Sequence, residues 1–336
     1  MKITFLLIIL HVNYAFCQHS GTNSLTNKFF FFDTLALNEN NCYLLSEKSK
    51  SKTNYETIHI ICSKKDSNSH ELVGDYYLPH NFKLTNDNDI FCTVPGRSIE
   101  KNQILRLFKN AVGKWAFQNI EVKLLNPKIQ FASNKLLIVN SKSEQLEESE
   151  LFKLSDKNEY KLIKKKEGLK LSAINNKGIA CGENRTNNNI RNPVLYFIDK
   201  DTAIFFLSKI PGYATHINDN GTVCGVFYAE NGEERGFVWN INQMKTFSED
   251  VAFTDINPDN QTIPMFINNS EIIVGRSKSD FVYIKDMTVF KMKDLLLRYG
   301  YVNYKCINIL SLNNNNYCLV ECIVNDTIKR LVVRID

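Results

Sequence analysis

The sequence predicts an all-β protein, a seven-bladed β-propeller built from four-stranded blades. A short phrase recurs about every 46 residues, a period typical of propeller blades. Further β-rich runs follow each copy of the phrase, as blades of several strands require. In addition, an apolar segment at the N-terminus predicts that the protein is exported.

The recurring phrase consists of an apolar residue, an Asn-rich turn and a short apolar strand that often ends in glycine. Its clearest copies are INNKGIACG, INDNGTVCG and INNSEIIVG, which begin at Ile174, Ile217 and Ile267. Including the weaker copies, we find this phrase, here called the signature turn, starting at residues 37, 84, 131, 174, 217, 267 and 312. The copies lie 43 to 50 residues apart and account for nearly all of the chain after residue 17.

The composition of the signature turn predicts a tight β-hairpin. An Asn side chain can hydrogen bond to backbone two residues further on, and Asn tolerates a positive φ. Asn220 followed by Gly221 is a strong hairpin signal. The glycines that end the three best copies, Gly182, Gly225 and Gly275, lie within predicted strands and indicate a bulge or a close approach of backbones.

Two further β-rich runs follow the hairpin in the best-defined units. In the fifth unit they are Arg235–Asn240 and Met244–Phe247. The fourth unit has runs at 193–198 and 203–207, and the sixth at 280–284 and 288–292. Valine, isoleucine, phenylalanine and tyrosine dominate these runs, which together with the hairpin gives four strands in a blade.

The ends of the chain predict how the ring closes. The last unit stops after its third run, at 329–335, and so lacks an outer strand. A spare run, KFFFF at about 28–32, precedes the first signature turn. We expect this N-terminal strand to complete the last blade, which would leave only short sheet edges.

Residues 1–17 are predicted to be a signal peptide, and residues 18–336 a single propeller domain. The first segment has one lysine, an apolar run from Ile3 to Leu10 and a small residue, Ala15, near its end. The expected location is secreted or periplasmic; lipid attachment through Cys17 is an alternative. No later segment approaches the roughly 20 apolar residues that span a bilayer.

Cleavage after Cys17 leaves eight cysteines in an oxidising compartment, so disulfides are allowed. Cys181 and Cys224 occupy equivalent repeat positions and are predicted to be buried free thiols. Cys318 and Cys322 lie about 13 Å apart along one strand, too far to pair with each other. Cys306 with Cys322, across a hairpin, is a candidate pair.

The phrases INNKGIACG and INDNGTVCG, with RGFVW after the second, resemble the bacterial HAF family of extracellular repeat proteins. The resemblance is good over residues 174–240, fair to 284, and limited to general shape elsewhere. Arg235-Gly236-Phe237 departs from the His-Ala-Phe-like triplet that gives this family its name. The resemblance implies an exported repeat protein and brings no catalytic residues with it.

No catalytic, cofactor-binding or metal-binding residue is predicted, and no cofactor. The histidines form no HExxH motif, and His216 is a lone histidine that could face a channel. The acidic stretches at 87–89 and 218–221 lack the full ligand set of a calcium loop and are interpreted as hairpin turns. Acidic residues that fall between predicted strands cannot be shown to converge: they are Asp199, Asp201, Asp250 and Asp255.

The charge of the chain argues against nucleic acid as a partner. There are 41 basic and 36 acidic residues, a net charge of +5, without the concentrated patch of a nucleic-acid binder. Lys164, Lys165 and Lys166 form the clearest basic cluster, which we interpret as a solvated strand end. A monomer without a transmembrane segment is expected.

These observations favour an exported, non-catalytic binding or scaffold module that presents loops to a protein or glycan. An alternative is a carbohydrate-active hydrolase or lyase with an acidic site in the propeller channel, which a pair of converging carboxylates would support. A purely structural surface protein is a third hypothesis. The residues that line the central channel distinguish the first two.

Overall fold

The structure is a computed structural model that describes part of the chain. The described residues are 32–37, 42–48, 55–64, 67–77, 80–85, 87, 89–94, 103–124, 127–133, 135–140, 148–185, 190–205, 210–243, 254–255, 261–278 and 280–336. The predicted signal peptide at 1–17 lies outside them.

The described strands form separate antiparallel sheets, each from consecutive strands. The first three sheets are β1 (Phe32–Leu37), β2 (Cys42–Lys48), β3 (Tyr55–Lys64) and β4 (Ser67–Tyr77); β5 (His80–Leu84), β6 (Ile90–Val94), β7 (Gln103–Lys109) and β8 (Trp115–Ile120); and β9 (Lys128–Ala132), β10 (Leu136–Asn140), β11 (Glu148–Leu154) and β12 (Tyr160–Glu167).

The remaining sheets follow the same order. They are β13 (Leu169–Ile174), β14 (Ile179–Arg185), β15 (Arg191–Phe197) and β16 (Thr202–Phe205); β17 (Gly212–Ile217), β18 (Thr222–Tyr228), β19 (Glu234–Asn240) and β20 (Thr254–Asp255); β21 (Thr262–Ile267), β22 (Ile273–Ser277), β23 (Asp280–Lys285) and β24 (Thr288–Lys291); and β25 (Lys305–Leu312), β26 (Tyr317–Val324) and β27 (Thr327–Arg334). A 3-10 turn (Ile241–Gln243) follows β19, and helix α1 (Met292–Arg298) follows β24.

The all-β propeller architecture is confirmed, but not every blade has the predicted four strands. Six sheets have four strands and the last, β25 to β27, has three. Closure of that sheet by the predicted N-terminal strand is not shown. Residues 28–31 lie outside the described residues, and Phe32 begins β1, which pairs with β2 in the first sheet.

Two local features were not predicted. The fourth strand of the fifth sheet is β20, at Thr254–Asp255, whereas the predicted run at 244–247 lies outside the described residues. Helix α1 was not predicted. Its Met292, Leu295 and Leu296 are buried at helical spacing, so the apolar residues after β24 serve a helix rather than a longer strand.

Neighbouring sheets pack face to face around the ring. The third strand of one sheet contacts the first strand of the next, as β15 contacts β17 and β19 contacts β21. The last sheet meets the first in the same manner, because β27 contacts β1. The first and last sheets are therefore neighbours in the ring.

The hydrophobic core lies between the faces of neighbouring sheets. Between the fourth and fifth sheets, Cys181 and Leu195 pack with Val223 and Trp239. Cys181 and Cys224 are both buried thiols, as their repeat positions predicted. Since each sheet buries both faces in this way, every blade depends on its neighbours for stability.

The signature turns have a common backbone geometry. In the fourth sheet the Asn175 backbone N–H donates to the Ile179 carbonyl, and the Gly178 N–H donates back to the Asn175 carbonyl. One residue in each such turn adopts a positive φ, with values of 73° at Gly178, 86° at Gly221, 58° at Glu271 and 67° at Asn316. In the Asn220-Gly221 pair only Gly221 has a positive φ, which is typical of a type I turn that ends in a left-handed residue.

The strand glycines of the signature lie opposite bulges, as predicted. The register of β13 with β14 shifts between Leu171 and Ala173, and Gly182 pairs with Leu171 just before the shift. A Cβ atom at Gly182 would overlap the Lys170 carbonyl oxygen. Gly225 and Gly275 have the same relation to Ala214 and Pro264.

A ladder of Asn side chains joins successive signature turns. The first Asn of each turn accepts backbone N–H groups of its own turn through Oδ1, as Asn218 does from Thr222 at 2.8 Å. Its Nδ2 donates to the carbonyl of the next turn. The Nδ2-to-oxygen distances are 3.2 Å from Asn175 to Asn218, 2.9 Å from Asn218 to Asn268 and 3.1 Å from Asn268 to Asn313.

We call this chain of bonds the Asn ladder. All four of its asparagines are buried, and the first three satisfy their amides partly within one sheet and partly in the next. A second row runs beside it, in which Asp219 accepts from Nδ2 of Asn176 and of Asn269, both at 2.9 Å. The Asn-rich composition of the repeat therefore serves contacts between blades as well as the turns themselves.

Candidate binding site in the central channel

The first strand of each sheet faces the axis of the propeller. These seven strands, here called the inner strands, are β1, β5, β9, β13, β17, β21 and β25. Each contacts the inner strand of the next sheet, and β25 contacts β1. They form a closed circle, and the space within it is the central channel.

The inner strands carry far more basic than acidic residues. Their basic and histidine positions are His80, Lys83, Lys128, Lys170, His216 and Lys305. The one carboxylate residue in the seven strands is Asp33. The converging carboxylate pair expected for a glycoside-cleaving enzyme is therefore not found on the described inner strands.

Lys83 and His216 approach each other from non-adjacent sheets. Lys83 lies in β5 and His216 in β17, each one residue before the end of its strand. The charge of Lys83 helps to lower the pKa of His216, so the two side chains lie within electrostatic reach across the channel.

Burial and, to a smaller extent, the nearby charge of Lys128 together lower the pKa of Lys83 to about 8. No carboxylate contributes to this shift. Both effects disfavour the ammonium form because it has lost water and faces a like charge. Lys83 remains partly exposed, so a ligand entering the channel could reach it.

His216 is held in a neutral form by its surroundings. Desolvation lowers its pKa to about 4, while a hydrogen bond with the Ile267 backbone opposes the shift. Its ring stands edge-on to Phe266, with 5.5 Å between ring centroids. Among the described residues Nδ1 of His216 has no hydrogen-bond partner, which leaves a buried acceptor unsatisfied on an inner strand.

A second polar group at the same level is also unpaired. Ser311 lies one residue before the end of β25, the position that Lys83 and His216 hold in their strands. Its Oγ is buried and has no hydrogen-bond partner within the described part of the chain. Unpaired buried polar atoms cost free energy, so Ser311 Oγ and His216 Nδ1 mark the channel as a candidate ligand site.

We call Lys83, Lys128, His216, Phe266 and Ser311 the channel site. From the sequence, His216 was the only member considered, as a lone histidine. The others were missed because each signature turn places a different residue at this position. Aligning the residue before every signature turn, which gives Ala36, Lys83, Gln130, Ala173, His216, Phe266 and Ser311, would have grouped most of them.

The lysine cluster at 164–166 lies near the end of β12, and its side chains are paired with acids. Lys164 and Lys166 pair with Asp201 at 2.7 Å and 2.5 Å, and Lys165 pairs with Glu148 at 3.2 Å. Since its charges are compensated, this cluster is not a candidate anion site.

The other acidic positions do not assemble into a site. Asp201 accepts from the Tyr196 hydroxyl as well as from the lysines, which together hold its pKa well below the usual range. Asp255 lies in β20, and Asp250 falls outside the described residues. Within the described ranges no group of three His, Cys, Asp or Glu side chains could hold a metal ion. Asp87 and Asp89 lie between β5 and β6, with residue 88 outside the described residues, and the stretch at 218–221 occupies the hairpin turn between β17 and β18.

A search of the helices that the structure describes found none with the length and apolar character needed to cross a membrane.

Comparison with known proteins identifies the fold of the chain but no family to which it belongs. No protein-family model and no curated protein matches the sequence. Among solved structures, the chain is similar to the β-propeller domain of the trilobed protease from Pyrococcus furiosus, which is described as having an open velcro topology. The TM-score is 0.57 at 8% identity, over 90% of this chain and 94% of the other.

Two peptidases are similar over one part of their length. A prolyl endopeptidase matches with a TM-score of 0.59 and 8% identity, and oligopeptidase B from Leishmania major with 0.53 and 10%. They cover 90% and 91% of this chain, which spans 47% of each of them. At such low identity these likenesses establish one conclusion, that the chain has a β-propeller fold.

Proposed function

We propose that the protein is an exported, non-catalytic β-propeller module, similar to HAF-type repeat proteins, that binds a protein or glycan ligand through an anionic group held in the channel site. The observation that carries this proposal is the proximity of Lys83, which has no carboxylate partner among the described side chains, to His216, whose Nδ1 has no hydrogen-bond partner among them. Both groups lie where the inner strands converge.

Lys83 and His216 would each bind a different kind of ligand atom. The Lys83 ammonium group is a hydrogen-bond donor that gains from an anionic oxygen, and a ligand anion would raise its pKa back toward the normal value. A neutral His216 offers Nδ1 as an acceptor, which fits a ligand hydroxyl. A carboxylate next to hydroxyl groups, as in a uronic acid, supplies both.

The composition of the site supports binding rather than hydrolysis. Glycoside cleavage needs two carboxyl groups on either side of the scissile bond. The inner strands supply lysines and histidines instead, with Asp33 as their one carboxylate residue. The channel site can therefore neutralise a charged ligand, while the carbohydrate-active enzyme hypothesis has no acid pair among the described residues on which to rest.

Calorimetric titration with galacturonate oligomers, and with neutral galactose oligomers of equal length, tests this proposal. We expect binding of the acidic series alone. Lys83→Met should weaken it at least tenfold, which corresponds to about 1.4 kcal/mol. Lys153→Met is the matched control, because Lys153 is an exposed strand lysine of β11. Binding should also weaken as pH rises through about 8, where Lys83 loses its proton.

Two results would contradict the proposal. Equal binding of neutral and acidic oligomers would show that the charge of the ligand is not recognised. Equal losses of affinity in Lys83→Met and Lys153→Met would show that the ligand does not bind in the channel. If acidic peptides bind where acidic sugars do not, the ligand is a protein and the site stands. Product formation from the oligomers would favour the hydrolase or lyase hypothesis instead.

We also propose that residues 28–31 add a fourth strand to the last sheet and so complete a seven-bladed ring. The support is that β27 ends that sheet while contacting β1, which directly follows these residues in the chain. Deleting residues 18–31 should lower the melting temperature by several degrees, because β27 would lose its edge partner. An unchanged melting temperature would overturn this part of the proposal.

A further inference from the structure

Two hairpins of the structure place cysteines directly opposite each other. In the last sheet, Cys306 of β25 is the register partner of Cys322 of β26. In the first sheet, Cys42 of β2 is the register partner of Cys62 of β3. These two sheets are neighbours, since β1 contacts both β25 and β27.

Register partners in an antiparallel pair have Cα atoms about 4.5 to 5.5 Å apart. Disulfides span Cα distances of about 4.4 to 6.8 Å, so both pairs meet the backbone requirement. For Cys306 and Cys322 the side chains also meet, because a hydrogen bond in which the Cys322 thiol donates to Cys306 is the main cause that raises the pKa of Cys322. Both are free thiols in the structure.

The other described cysteines have no such partner. Cys92 pairs in register with Leu105, Cys181 with Leu195, Cys224 with Val238, and Cys318 with Val333. All four are buried. They serve as internal controls, because the same chain holds cysteines with and without an opposing cysteine.

We propose that the mature protein contains two cross-strand disulfides, Cys306–Cys322 and Cys42–Cys62, one in each of the sheets that meet where the ring closes. Each disulfide would cross-link the two strands of one hairpin, on one side of this junction. The proposal rests on export only for its oxidising environment. The pairing itself follows from the register.

Each disulfide forms by exchange with an oxidised disulfide carrier. A thiolate of the pair attacks the carrier disulfide, which gives a mixed disulfide and releases one carrier thiol. The second cysteine then attacks its partner's sulfur and releases the other carrier thiol. Two electrons pass to the carrier for each bond. Cys306 is partly exposed and Cys322 is buried, so we assign the first attack to Cys306.

Counting free thiols by mass tests the proposal. The chain from residue 18 to 336, which has eight cysteines, is refolded with oxidised and reduced glutathione and alkylated in denaturant. We expect four alkyl groups without reductant and eight after reduction. Refolding under reducing conditions should lower the melting temperature by about 5 °C, because loop closure no longer restricts the unfolded chain.

Single substitutions move the count in opposite directions. Cys306→Ala frees Cys322 and should raise the unreduced count from four to five, and Cys42→Ala should do the same. Cys318→Ala, the matched control on the same strand as Cys322, should lower it to three. A count of eight in the refolded chain would overturn the proposal, as would a count of three for Cys306→Ala. Peptide mapping of the unreduced chain identifies the partners if either substitution prevents folding.

Discussion

The propeller joins neighbouring blades by two different chemical means. From the fourth sheet to the last, the Asn ladder links successive signature turns through neutral amides that bond to backbone carbonyls. Between the second and third sheets the link is made by an arginine that belongs to a buried ion pair. Arg106 of β7 donates through Nε to Asp89 at 2.8 Å and reaches Asn158 in the third sheet.

The difference follows from the sequence of the turns. The signature turns of the second and third sheets have Thr85 and Ala132 where the later turns have asparagine. Neither side chain has an amide that could reach the next turn. Arg106 supplies the missing donors from a neighbouring strand: its Nη1 bonds to the Asn158 carbonyl at 2.9 Å and its Nη2 to Oδ1 of Asn158 at 3.0 Å.

The ion pair and the Asn ladder differ in the free energy that is lost when one partner is removed. Arg106 and Asp89 are nearly inaccessible, with 3% and 11% of their side chains exposed. Burial raises the pKa of Asp89, even though Arg106 acts to lower it. Loss of either partner leaves a buried charge, whereas loss of one rung of the Asn ladder leaves a single neutral group without a bond.

The largest effect is therefore expected at Arg106. Arg106→Met should destabilise the protein by about 3 to 5 kcal/mol, because Asp89 would stay buried without its partner. Urea unfolding measures this free energy. In the double variant Arg106→Met/Asp89→Leu more than half of the loss should be recovered. If the double variant is no more stable than the single one, the ion pair is not the source of the cost.

Breaking one rung of the Asn ladder should cost less. Asn218→Asp keeps the acceptor for the Thr222 N–H but replaces the Nδ2 donor with an oxygen facing the Asn268 carbonyl, at an expected cost of about 1 to 3 kcal/mol. Asn220→Asp in the same turn is the matched control. Its bond to the Asn269 carbonyl is exposed, so we expect less than about 0.5 kcal/mol. Equal losses would show that the ladder has no special role.

The smallest effect concerns pH and distinguishes the channel from both kinds of junction. The folded pKa of His216, about 4, lies below its normal value of 6.5, so the unfolded chain binds more protons between these values. Stability should fall as pH drops from 6.5 to 4, by roughly 2 kcal/mol once partial exposure is allowed for.

His216→Gln should remove this pH dependence in thermal unfolding between pH 6.5 and 4. Asn218→Asp and the Arg106 variants should retain it, since they leave His216 unchanged. If His216→Gln loses stability over this range as the original chain does, another group with a lowered pKa is responsible.

One position of the repeat, opposite the bulge of the inner strand, is occupied by different residues in different blades. Gly182, Gly225 and Gly275 leave room for the bulge of the inner strand, and a Cβ atom there would overlap a carbonyl oxygen. In the last sheet the same position is Val320, paired with Ile309 at an equivalent bulge. A second register shift between Cys306 and Asn308 accompanies it.

The sequence by itself determined the propeller architecture, the positions of the hairpins and the burial of Cys181 and Cys224. These features depend on local preferences that recur along the chain: asparagine and glycine in turns, β-branched and aromatic residues in strands. A period of about 46 residues repeats the same local information in each unit, so weak signals add up.

Only the tertiary structure decided which side chains meet. The Asn ladder joins residues 43 to 50 positions apart, and Lys83 approaches His216 across the channel from a non-adjacent sheet. Helix α1 and the place of Lys164–Lys166 within β12 likewise depend on packing and pairing between distant segments. The signature turns are similar in sequence because each must adopt the same backbone conformation. The channel side chains come together only when the ring closes, and no single repeat carries that information.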